Sequence, residues 1–239
     1  MRAASIAACT GLVLALCAAA QAPATQAEAP ATQAEAPATV TFHFEDPRMQ
    51  PAKYTITLHE DGTGHFHAEA GSTTPDDTAA LPSEGQDRPI QATADTITRI
   101  FAVARAKKFF NIACENGDAH VSFTGKKELG YQGADGHGGC FYNYSKDPKI
   151  EWLTTEMQGI AATLEEGRRL EIEHEHGRLS LDAELETLEN MAQNGQALEL
   201  GNIAQTLLAI VKDDAVLQRA QKRARHLLAI VDAGGIVTK

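Results

Sequence analysis

The chain has 239 residues and a formal charge of -11, with 32 acidic against 21 basic residues. Phosphate recognition needs clustered Lys and Arg, so this balance excludes nucleic acid and anionic lipid as partners. About 200 residues remain after the N-terminal segment described next, enough for one large domain or two small ones with a real core.

The first 20 residues read as a secretory signal: Arg2 is the only charge, an apolar run covers 6–16, and Ala18, Ala19 and Ala20 precede the expected cleavage before Gln21. A retained anchor competes with this reading, but no basic stop-transfer cluster follows the run. Lipid attachment fits less well, because Leu16 is bulky before Cys17 and Cys9 lies too near the start. Cleavage removes Arg2 and no acid, so -11 becomes -12. Residues 21–39 repeat Ala, Pro, Thr, Gln and Glu, with copies at 22–28 and 29–35 and a third begun at 36–39. With nothing branched or aromatic to bury, this stretch is expected to be a disordered linker.

From 40 to 146 the pattern is that of an antiparallel sheet with one interposed helix. Val40, Phe42 and Phe44 alternate with Thr41, His43 and Glu45, and Tyr54, Ile56 and Leu58 alternate with Thr55, Thr57 and His59. A three-residue loop at Glu60-Asp61-Gly62 pairs Thr57 with His65 and Ile56 with Phe66, which keeps Tyr54, Ile56, Leu58, Phe66 and Ala68 on one face. Residues 71–88 read as a long mobile loop, and 92–107 as a helix capped by Thr93, with Ile97, Ile100, Phe101 and Ala104 inward. A second hairpin is expected over 119–132, turning through Gly125-Lys126-Lys127 with Val121, Phe123, Leu129 and Tyr131 inward, with a further strand at 141–144.

The mature chain retains two cysteines, Cys114 and Cys140, expected to form a disulfide in an oxidising compartment. A loop of this length stabilises a fold by about 3 to 4 kcal/mol. The alternative, a reactive thiol near His137, has no Cys-x-x-Cys to support it. The disulfide would also pin the glycine-rich run 133–139, which lacks the Gly-Lys-Ser/Thr ending of a phosphate loop.

From 147 to 239 the period is helical, and a C-terminal helical bundle is expected. Asp147-Pro148 is a cap followed by proline, and Ile150, Leu153, Met157, Ile160 and Leu164 form one stripe. Further helices are read from Ser180 to about Asn194-Gly195, around Ile203, Leu207 and Ile210, and from Asp213-Asp214 through Val216, Ala220, Leu227 and Val231. Residues 202–232 resemble a single unit of the HEAT helical-repeat type; without a second copy they imply ordinary helix packing. His174-Glu175-His176-Gly177-Arg178 lacks the second histidine of His-Glu-x-x-His, so with Glu165, Glu166, Glu171 and Glu173 it reads as a charged, solvated face. Arg219, Lys222, Arg223 and His226 read as a basic ridge near the end of the last helix, where the helix dipole favours positive charge. No Gly-x-Ser-x-Gly elbow is present.

One candidate site emerges from parity. His43, His59, His65, His67 and His120 take the polar side of their strands. His65 and His67, two apart on one strand, are the candidate ligands of a divalent transition metal, with His59 or Glu69 completing the set. The alternatives are a pH-sensitive docking face and no role.

The run Tyr54-Thr55-Ile56-Thr57-Leu58-His59-Glu60-Asp61-Gly62 and the Cys114/Cys140 pair resemble those of exported bacterial proteins in which a sheet of Asp-Gly hairpins precedes a helical part. That resemblance implies an α+β architecture and no reaction. The sequence therefore points to an exported noncatalytic protein, periplasmic or secreted, that binds a protein or an envelope component without spanning the membrane once the signal is removed. A metal-binding protein using the histidine face, and a hydrolase assembled from distant residues, are the two alternatives.

Overall fold

The computed structural model describes residues 36–71, 85–115, 117 and 121–234. The signal and nearly all of the linker lie outside these residues, as do His120 and most of the expected mobile loop. Among the described residues, no helix is long and apolar enough to cross a membrane.

The fold is α+β, an antiparallel sheet with one interposed helix followed by a helical part. Strands β1 (Thr39–Glu45), β2 (Lys53–His59) and β3 (Thr63–Ala68) follow in sequence, then β4 (Gln86–Gln91), β5 (Lys126–Gly133) and β6 (Gly136–Tyr142). They pair antiparallel in the order β4-β3-β2-β1-β5-β6. The register of β2 on β3 is the expected one, with Ile56 opposite Phe66, Thr57 opposite His65 and Thr55 opposite His67. Because strand side chains alternate, every second residue from Val40 to Phe44 and from Tyr54 to Leu58 is buried with Phe66 and Ala68. Asp61 closes the turn by accepting from the Thr63 amide at 2.9 Å and its hydroxyl at 2.6 Å.

Helix α1 (Ala94–Ala106) starts at Thr93, whose hydroxyl accepts from the Thr96 amide, and buries Ile97, Ile100, Phe101 and Ala104 on the sheet. Helix α2 (Pro148–His176) starts at the expected Asp147 cap, whose carboxylate accepts from the Lys149 amide at 2.9 Å. Its stripe from Ile150 to Leu164 joins the same core as the sheet. Leu170, further along α2, belongs instead to a second core with α3 (Leu181–Gln193), α4 (Ala204–Lys212) and α5 (Gln218–Asp232).

Several expectations are corrected. Residues 86–88 are strand rather than loop, since β4 is an edge strand that tolerates Pro89 in its middle. The second hairpin turns at Ala134-Asp135, not at Gly125-Lys126-Lys127. Val121 and Phe123 lie outside any strand, and Phe123 is exposed beneath the Arg48 guanidinium, 5.3 Å from its ring centre. The helix expected from Ser180 is present, with Ser180 at the N-cap of α3, whereas α5 begins at Gln218, later than Asp213.

The glycine-rich run 133–139 ends β5, makes the turn and opens β6, and its glycines face a close neighbour. After α1, Lys108, Phe109 and Phe110 adopt φ of 54°, 59° and 65°, three left-handed residues in succession, a conformation costly for L-residues. This turn drops Phe110 into the core and stacks Phe109 on Tyr131 with ring centres 4.9 Å apart. A Cβ on Gly136 would lie 2.3 Å from the Phe109 ring, and one on Gly138 would lie 2.5 Å from the Phe109 carbonyl. The Cys114–Cys140 disulfide then ties the chain leaving the turn to the same strand.

The acidic part of α2 is also corrected. Glu165 and Glu166, expected to be solvated, are only 3% and 7% exposed, because α2 is covered on more than one side. Glu165 accepts from Arg168 at 2.6 and 3.0 Å and from the Gln86 amide at 2.7 Å, which brings the β4 edge onto α2. Arg88 and Thr206 both donate to Glu171. The basic ridge starts in the first turn of α5 rather than lying near its end, so inter-helix ion pairs and not the dipole hold it: Arg219 meets Asp182 at 2.7 Å, and Arg223 meets Glu186 at 2.9 Å and Glu189 at 2.5 Å.

Two substitutions test this packing by thermal unfolding. Cys114→Ala with Cys140→Ala is expected to destabilise the protein by about 3 to 4 kcal/mol. Gly138→Ala is expected to destabilise it by about 1 to 3 kcal/mol, since the backbone of Phe109 must shift to admit the methyl group. Unchanged melting of the glycine variant would show that the 108–110 turn does not press on β6.

Candidate functional site

One face of the sheet is buried under α1 and α2, and the other carries the histidines. Pairing sets residues of successive strands into rows across that open face. One row runs Asp87, His67, Thr55, His43, Glu128 and Phe141, and the next runs Pro89, His65, Thr57, Thr41, Gly130 and Gly139. Phe141 is 71% exposed, an unusual position for an aromatic ring on an otherwise polar surface. Parity therefore places His43, His59, His65 and His67 on one side as expected, and adds His137 of β6 to them.

The expected metal ligands fall into separate groups. His65 Nε2 meets Asp87 Oδ1, and His67 Nδ1 lies 3.7 Å from the other oxygen of that carboxylate. His59 Nδ1 is 3.0 Å from the Thr39 hydroxyl, and His43 Nδ1 is 3.0 Å from that of Thr55. Glu69 is ion-paired with Lys53 at 2.5 Å. The structure thus brings His65 and His67 together around Asp87, while His59 and Glu69 are engaged elsewhere. Among the described residues, no group of three or more His, Cys, Asp or Glu side chains is placed to hold a metal ion. Asp87 was hidden from sequence reasoning because its strand was read as loop.

A second feature, a cavity of about 490 Å³, lies beside the N-terminus of α1, between α2, the 192–201 segment and α5. Glu199, held at φ 54°, accepts from the Thr93 amide at 3.0 Å and the Thr93 hydroxyl at 2.8 Å. A carboxylate at this position satisfies an otherwise orphan amide and favours the positive end of α1. Asn202 accepts from the Gln91 amide at 2.8 Å, so the same segment is fastened to the end of β4. Glu156 of α2 also lines the cavity; it is 9% exposed and makes no hydrogen bond or ion pair among the described residues. Burial pushes its carboxyl above the usual range; Arg99 opposes this, and Glu199 and Asp95 add to it. Its place four residues before Ile160 on a helix of mixed polarity gave no sequence signal.

No protein-family model matches the chain, and no curated protein is significantly similar to it. The expected likeness to exported proteins rests on the hairpin and the disulfide.

Two expected outcomes follow from this geometry. Glu156 holds its proton more tightly in the folded chain than when unfolded, so its contribution to stability is present at low pH and falls as pH rises above the usual carboxyl value near 4.5. Glu156→Gln should therefore raise the melting temperature at pH 7.5 and leave it unchanged at pH 4. His65→Ala with His67→Ala should change stability by less than about 0.5 kcal/mol, as at other exposed positions. Zinc calorimetry on the same pair of proteins tests the metal reading. Binding tighter than about 100 μM that the double variant loses would establish the site; anything weaker removes it.

Proposed function

We propose that this chain is an exported noncatalytic binding protein of the cell envelope, periplasmic or secreted, which presents the open face of its sheet to a protein or envelope component. The observation that carries this reading is the Asp87–His67–Thr55–His43–Glu128–Phe141 row: a polar face six strands wide with an aromatic ring standing out of it. A sheet of this kind, with one face buried by helices, offers a preformed surface at little conformational cost. Export is supported by the signal-like segment 1–20 and by the Cys114–Cys140 disulfide, which suits an oxidising compartment.

The hydrolase reading needs acid and base groups acting together in a cleft. At the cavity beside α1, Asp95 is 3.6 Å from Arg99 and Glu199 is engaged with Thr93, which leaves Glu156 alone. One carboxyl without a paired group supports binding rather than turnover.

Cross-linking in native envelopes, followed by capture of the tagged chain, tests the proposal. Wild type is expected to retain a defined partner that is lost from a variant combining His65→Ala, His67→Ala and Phe141→Ser, with melting unchanged. Equal capture by both proteins would remove the sheet face as the binding surface. Intact-mass measurement on the exported protein should give a chain beginning at Gln21; a mass retaining Arg2, or one carrying lipid, would replace the free protein with an anchored one.

A further inference from the structure

A buried carboxyl is normally met by a donor or a cation, because stripping its hydration without compensation is costly. Glu156 is met by neither among the described residues, although it faces a cavity of about 490 Å³. The nearest basic group, Arg99, is committed to Asp95 at 3.6 Å and to the Trp152 ring at 4.5 Å. Both oxygens of Glu199 are held by Thr93. No Lys or Arg is among the described residues lining the cavity, and its remaining walls include Ala192, Leu198, Leu200 and Ile230. The volume lies within the range of small-molecule sites, which combine apolar walls with a few placed polar groups.

We propose that this cavity binds a small organic cation of the alkylammonium class, its N–H groups donating to Glu156 and its aliphatic body packed on Leu198 and Ile230. A cation supplies what Glu156 lacks, and an apolar body matches the walls. A bare divalent ion matches neither: calcium takes six to eight oxygens, and the cavity's carboxyls do not form a group placed to hold a metal. The upward shift at Glu156 agrees, since a bound ammonium would restore the charged form that burial disfavours. The proposal does not depend on the sheet-face reading, because among the described residues the cavity shares only Gln91 with the strands.

Calorimetry on the exported protein at pH 7.5, with n-hexylamine, cadaverine and spermidine as probes and 1-hexanol as the neutral control, decides it. At least one amine is expected to bind with a Kd of about 1 mM or tighter. Hexanol should bind at least tenfold more weakly, a comparison that needs no variant. Glu156→Gln, folded and melting no lower than wild type, should weaken the amine at least tenfold, whereas the His65, His67 and Phe141 variant should bind it as wild type does. Failure of all three amines, equal binding of hexanol, or undiminished binding by Glu156→Gln would each overturn the proposal.

Discussion

Helix α2 is the element on which the rest of the structure depends. Its 29 residues span about 43 Å, long enough to belong to two hydrophobic cores. Ile150, Leu153, Met157, Ile160 and Leu164 close the sheet from one side, while Leu170 enters the core of the three later helices. A helix packed on several sides cannot keep a simple polar stripe, so charged residues are carried inside with it. Glu165 and Arg168 are a buried ion pair, and such a pair survives only where further hydrogen bonds complete it. Gln86 supplies one of these bonds, so polar contacts add to the burial of Ile90 in holding the edge strand β4 against the rest of the fold. Thr163 adds a similar link, donating to the Leu198 carbonyl at 2.6 Å and fixing the segment that carries Glu199.

Burying one side of the sheet has a direct consequence for the other. Once Phe42, Ile56 and Phe66 must lie beneath α1 and α2, parity sends His43, Thr55 and His67 outward in a continuous row. The open face is therefore a by-product of core formation in its placement. Its composition of threonine, histidine and glycine, with Phe141 exposed, is a separate choice that core formation does not require. The cavity beside α1 arises differently. Residues 197–203 cross from α3 to α4 over the end of β4 and the start of α1, and Glu199 and Asn202 fasten them there. That crossing leaves a pocket beneath it that is lined by the buried polar groups Glu156 and Thr96.

Three of the four left-handed non-glycine positions among the described residues fall at one place, Glu199 being the fourth. The left-handed run 108–110 is stabilised by burial of Phe110 and by stacking of Phe109 on Tyr131, and it requires a partner strand without side chains on the facing side. Gly136 and Gly138 meet that need, and Cys140, two residues on with the same parity, makes the covalent link to Cys114. The glycines, the turn and the disulfide thus act as one unit at the far edge of the sheet from β4.

Local patterns in the sequence were sufficient wherever a residue's neighbours lie within a few positions along the chain. The alternation of β1 and β2, the Asp61-Gly62 turn, the register that points His65 and His67 outward, the Thr93 and Asp147 caps and the apolar stripe of α2 all have that character. What lay beyond local pattern depended on residues distant in sequence. β4 forms because β3 templates it and α2 holds Gln86; Gly136 and Gly138 of β6 lie under Phe109; Glu165 is inside because α2 is enclosed. Asp87 reaches His65 and His67 only through strand pairing across 20 or more positions. Glu156 becomes a candidate binding group only because a loop from between α3 and α4 closes over it. Periodicity records which side of an element is apolar. It carries no information on which other element will cover the remaining sides, and that assignment, decided by tertiary packing, is what turned charged residues of α2 into buried ones.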